Sequence, residues 1–96
     1  MPPEEINSYA ALKQFIYRTL CSDHHLLYSS FSTTETLIKR GKNVSCGMMF
    51  CLNGPRSVKF TAIWESDNNY VFFYGADGKR YRQTRISVGN KITADL

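Results

Sequence analysis

The stretch "CSDHH" gathers Cys21, Asp23, His24 and His25, all metal ligands or proton carriers. Cys21 with either histidine also has the makings of a thiol nucleophile and its base. Neither chemistry is well served by the spacing. Zinc sites repeat paired cysteines two apart, and the remaining thiols, Cys46 and Cys51, are separated by five positions. Within a strand that separation points them to opposite faces. Cys21 falls at the expected end of a helix, where the dipole opposes a thiolate. The chain carries no phosphate loop, nucleophile elbow, zincin or dinucleotide-binding pattern. The sequence therefore predicts no catalytic residue, no metal and no cofactor. A Cys/His enzyme or metal site stands as the weakest alternative.

Two further segments offer binding rather than catalysis. In "NGPRS", Gly54 frees the backbone, Pro55 fixes it, and Arg56 projects from the turn, where a guanidinium can hold a carboxylate or phosphate. A solvated turn arginine is the plainer account of the same residues. In "YVFFYGADGKRYRQTR", residues 70–85, five aromatic and four cationic side chains flank one turn. Alternating rings and cations on a sheet can stack single-stranded bases and neutralise phosphates.

Those residues must be positioned by one small domain, since 96 residues hold a single core. No apolar run approaches the roughly 20 residues of a membrane helix. "MPPEEINSY" lacks the basic and apolar regions of a signal peptide, and three cysteines suit a reducing compartment. A cytoplasmic location is expected. The net charge is +4, with five Lys/Arg against four Asp/Glu in residues 1–45 and seven against four in residues 46–96. That excess permits an anionic partner, although solubility alone would select it.

Residues 1–6 read as a lead-in. A helix is predicted from Asn7, capped by Asn7 or Ser8 and ending in "CSDHH". Its stripe is Ile6, Tyr9, Leu12, Ile16, Tyr17 and Leu20, with Lys13 at the boundary and Phe15 outside it. Ser32 and Glu35 have capping-box spacing, and Lys39, Arg40 and Gly41 suit a helix end, which predicts a second short helix over 33–40. From Cys46 the period changes to two. "CGMMFCL", "SVKFTAIWE", "YVFFYG" and "KRYRQTRIS" read as four strands joined by short turns, an antiparallel meander over 46–86. Residues 87–96 read as a loose tail. The expected fold is thus α+β: a helical part over 7–45 whose two helices cover one face of a four-stranded sheet.

Turn parity assigns the faces. A two-residue turn at Asp77-Gly78 and even-length turns elsewhere send Met49, Cys51, Val58, Phe60, Ala62, Trp64, Val71, Phe73 and Ile86 toward the helices, with Arg80 and Arg82 at that face's edge. The opposite face then collects Met48, Phe50, Leu52, Lys59, Thr61, Ile63, Glu65, Tyr70, Phe72, Tyr74, Tyr81, Gln83 and Arg85. Such an amphipathic surface, too aromatic for a plain solvated face, marks an interaction site. The run "CGMMFCLNGPRSVKFTAIWESDNN" with "FYGADGKRY" resembles a group of short uncharacterised bacterial proteins over about half the chain. The resemblance implies a compact protein with no assigned activity, and it transfers no site. The sequence reads as a non-enzymatic interaction module that self-associates through the second sheet face as a homodimer. Single-stranded nucleic acid is the alternative occupant.

Overall fold

The computed structural model describes residues 4–6, 8–27, 30–39, 45–66 and 68–88. Strand β1 (Glu4–Ile6) leads into helix α1 (Tyr9–Asp23), followed by β2 (Thr33–Lys39), β3 (Ser45–Asn53), β4 (Lys59–Glu65), β5 (Tyr70–Tyr74) and β6 (Arg80–Val88). Strands β2 to β6 form an antiparallel meander, and β1 adds parallel to β6, giving the order β1-β6-β5-β4-β3-β2. Among the described residues, one α-helix covers one face. The α+β class stands, but the two helices and four strands expected from sequence do not.

Helix α1 forms where the stripe predicts it. Ser8 caps it by accepting from the Ala11 N–H at 3.1 Å, and Asn7, the other expected cap, lies outside the described residues. Its end is closed by His25, which takes the left-handed conformation (φ 58°) usually given to glycine. The Leu26 N–H then reaches the Cys21 carbonyl at 2.8 Å. Leu12, Ile16, Tyr17, Leu20 and Cys21 are buried, and Phe15 meets Phe73 edge-on with ring centroids 6.4 Å apart.

The second helix is replaced by β2. Its supposed capping residue, Glu35, points toward α1 instead, accepting from the Tyr17 hydroxyl at 2.7 Å and pairing with Lys13 at 2.8 Å. A strand rich in β-branched residues beside an unpaired edge of β3 gains a full ladder, which outweighs local capping signals. Arg40 and Gly41, the rest of the expected helix end, lie outside the described residues. The lead-in likewise contains a strand, and β6 extends two residues past the expected meander.

The faces differ from expectation at two turns. Asn53 pairs with Lys59, so five residues, not an even number, separate β3 from β4. That odd loop turns Met48, Phe50 and Leu52 into the core, each at most 2% exposed, and leaves Met49 and Cys51 outside. At the last hairpin, Gly75 and Lys79 close a three-residue loop with Gly78 at φ 78°. Tyr74 consequently faces Arg80, and the expected Tyr74–Tyr81 pair does not form. A bulge at Tyr81 restores the parity, so Phe72 still faces Gln83 and Tyr70 faces Arg85. Only Tyr81 and Arg80 change sides. The four-residue turn after Glu65 sets Trp64 opposite Val71 as expected.

The corrected register is testable by truncation. Phe50→Ala should cost about 3–5 kcal/mol, since it opens a cavity beneath α1. Against a total of about 5–15 kcal/mol for a chain of this size, that is a large loss. Met49→Ala, on the open face, should cost much less. Urea denaturation midpoints of the two variants check the order, and equal losses would contradict the register.

Candidate functional site

Two clamps fix α1 diagonally across the sheet. Near its start, Lys13 and Tyr17 hold Glu35 on β2. At its end, Asp23 accepts Arg82 Nε at 2.8 Å and Arg82 Nη2 at 2.9 Å, while the Tyr81 hydroxyl donates to the same carboxylate at 2.8 Å. Burial pushes the Tyr81 and Tyr17 hydroxyls up, and the carboxylates they serve add to the shift. Burial works against ionisation of Glu35, yet hydrogen bonds from Lys13 and Tyr17 and the Lys13 charge leave its carboxyl below the usual range. Both described ion pairs therefore lie on the helix-covered side.

Among the described residues no helix lies on the other face, and the register lays its side chains out in rows across β2 to β6. The central row is Thr36, Met49, Ile63, Phe72 and Gln83. To one side run Thr34, Cys51, Thr61, Tyr74 and Arg80, and to the other Ile38, Gly47, Glu65, Tyr70 and Arg85. Tyr70, Phe72 and Tyr74 thus form a line of rings along β5, all half-buried. The Tyr70 and Phe72 rings stack with centroids 5.9 Å apart. The Arg80 guanidinium sits 4.2 Å from the Phe72 centroid and donates to the Tyr74 hydroxyl at 3.2 Å. At one end of the line, Asn68, Asn69, Tyr70 and Arg85 surround a shallow notch of about 340 Å³.

The open face carries three cations beside its rings. Lys59, Arg80 and Arg85 stand on the open face, and no ion pair among the described residues reaches any of them. Its one acid in the three rows, Glu65, accepts from the Asn68 backbone and side-chain amides, both at 3.2 Å. Of the residues the sequence assigns to this face, the structure keeps Lys59, Ile63, Tyr70, Phe72, Tyr74 and Arg85 together. Met48 and Phe50 are removed to the core, and Tyr81 turns to the helix side. Arg80, assigned to the helix face, joins the open one because the bulge after it flips its side chain. Sequence gives no warning of that bulge.

The remaining candidates separate. Arg56 is exposed at the tip of the loop after β3, where it and Ser57 both have left-handed backbone (φ 57° and 62°). Cys21 is buried, and burial pushes its thiol up, the opposite of what a nucleophile requires. Among the described residues no three of His, Cys, Asp or Glu are grouped to hold a metal ion. A groove of about 500 Å³ along α1 is lined in part by Asp23 and Arg82, whose charges are engaged with each other.

His24 stacks on Phe60 with centroids 4.1 Å apart and meets Tyr81 edge-on at 5.2 Å. Its Nε2 is buried without a partner.

The fold and the site together define an α+β domain with one helix on a six-stranded sheet and an aromatic, cationic face left open. No family model, curated protein or solved structure matches the chain. Among the described residues, no helix is long and apolar enough to cross a membrane.

The His24 environment makes a pH prediction. Burial lowers its pKa below 6.5, against the opposing pull of Asp23. The unfolded chain then takes up the proton first, so stability is complete above about pH 6.5 and falls as pH drops through and below that value. Urea midpoints from pH 7.5 to 5 should decline in the wild type and flatten in His24→Phe. An identical slope in both would contradict this assignment.

Proposed function

We propose that the chain is a small non-enzymatic binding module that takes single-stranded nucleic acid on its open sheet face. The observation that carries the reading is a line of rings beside cations that no described ion pair engages. Acids on the helix side, Asp23 and Glu35, are consumed by Arg82 and Lys13, whereas Lys59, Arg80 and Arg85 surround the line Tyr70, Phe72 and Tyr74. Alternate residues on a strand stand about 7 Å apart, so Tyr70 and Tyr74, at the two ends of the line, can meet different bases of an extended strand. Each stacked base contributes about 1–3 kcal/mol, and stacking needs no particular sequence. Arg80, already over the Phe72 ring, can present its own plane to a base and its N–H groups to a phosphate.

A second copy of the chain on this face is less well served. With Met48, Phe50 and Leu52 in the core, the apolar centre shrinks to Met49, Ile63 and Phe72. Two such faces would also bring cations toward cations, which costs affinity unless each finds a carboxylate.

Anisotropy of a dye-labelled mixed-sequence oligodeoxynucleotide tests the reading. Binding should weaken with salt with a log–log slope of about −2 for three phosphate contacts on a single strand. Tyr74→Ala should weaken it about 5- to 150-fold without unfolding the protein, the equivalent of one lost stack. Arg85→Gln should make the slope shallower by about 0.7. No binding at low salt would overturn the proposal. So would a solution dimer that Phe72→Lys converts to a folded monomer, because it would place a second copy on the rings.

A further inference from the structure

Strand β2 is an edge of the sheet, and among the described residues its only strand partner is β3. The Asn53 N–H donates to the Ser32 carbonyl at 2.9 Å, immediately before β2 begins. Antiparallel pairs alternate between bonded and non-bonded positions. Counting on from Ser32, the N–H and C=O groups of Thr33, Glu35, Leu37 and Lys39 point away from β3, toward the open edge.

Edges are commonly blunted by shortness, proline, bulges or charge. The opposite edge, β1, has three residues, but β2 has seven, with neither proline nor glycine. Thr33, Thr34, Thr36 and Ile38 are β-branched. The irregularity where Ile38 pairs with Gly47 and Lys39 with Ser45 adds its extra residue to β3, so β2 itself runs straight. Glu35, the charge in mid-strand, is already matched by Lys13 at 2.8 Å.

We infer that β2 is a self-association edge, pairing antiparallel with β2 of a second copy about a two-fold axis at Leu37. A two-fold axis perpendicular to the sheet keeps both helices on one side and requires one residue to face itself. Centring on Thr36 would set Glu35 against the partner's Leu37. Centring on Leu37 sets Glu35 against the partner's Lys39 twice over, Leu37 against the partner's Leu37, and Thr36 against the partner's Ile38. The charges select the second register, in which Glu35 lies between Lys13 of its own chain and the partner's Lys39. The outward groups of Glu35, Leu37 and Lys39 then meet like groups, giving about six new backbone hydrogen bonds. The two aromatic faces end on the same side of one continuous sheet, but the association does not depend on what those faces bind.

Sedimentation equilibrium over a concentration series should give a monomer–dimer curve for the wild type. Lys39→Glu puts carboxylate against carboxylate and should weaken dimerisation at least tenfold, with unchanged circular dichroism. Leu37→Pro removes an outward N–H that β3 does not use and should give a monomer. Should that variant unfold, cross-linking decides: Leu37→Cys should form a disulfide-linked dimer on mild oxidation, because facing bonded residues have Cα atoms about 5.5 Å apart. Thr33→Cys should not. A wild type that stays monomeric at every concentration overturns the inference. So does a dimer indifferent to Lys39→Glu and not cross-linked through Leu37, or one dissociated by Phe72→Lys.

Discussion

Burial of Leu12, Ile16 and Leu20 against the rings of one sheet face is the interaction on which the rest of the molecule depends. Phe50 receives Tyr9 and Tyr17 at ring separations of 6.1 and 5.9 Å, and Phe73 receives Phe15. Each fully buried aliphatic side chain contributes about 1.5–3 kcal/mol, whereas exposed ion pairs contribute about 0–1 kcal/mol. The pairs Lys13–Glu35 and Arg82–Asp23 thus orient the helix between β2 and β6 more than they hold it down. A single helix has only one apolar stripe to offer. Whichever side chains the pleat sends the other way must find another partner or face water.

That is why loop parity matters more here than any strand's composition. The helix stripe and the four central strands are legible from period alone, and the cap is narrowed to Asn7 or Ser8 by residue type. Which face of β3 is buried is not, because Met48, Phe50 and Leu52 alternate with Met49 and Cys51, and both sets are apolar. The decision is made by the loop after Asn53, where left-handed backbone at Arg56 and Ser57 closes a five-residue connection. Neither residue type announces that conformation. At the last hairpin two unreadable features cancel: a three-residue loop reverses the parity, and the bulge at Tyr81 reverses it again.

The segment 33–39 shows how a correct local signal can lose. Ser32 and Glu35 have the spacing of a capping box, but a capping bond is worth about 1 kcal/mol. As a strand, the same residues complete a ladder on β3 and deliver Glu35 to Tyr17 and Lys13. The threonines that made the segment ambiguous are at ease in that ladder. β1 could not have been read at all, since three residues carry no period.

The misassigned strand also changes what the open face is. With Phe50, Met48 and Leu52 exposed, it would have been a broad apolar surface suited to another protein core. With those residues inside, its centre is a narrow row, and its most prominent groups are three rings beside arginine. Asp23 and Glu35 hold Arg82 and Lys13 on the helix side. On the open face Lys59, Arg80 and Arg85 outnumber Glu65 and stand beside the rings. An aliphatic face ringed by charge offers a partner only area. Aromatic faces flanked by guanidinium groups also offer stacking and phosphate contacts at a spacing fixed by the strand, which is the combination an extended polyanion with flat bases can use.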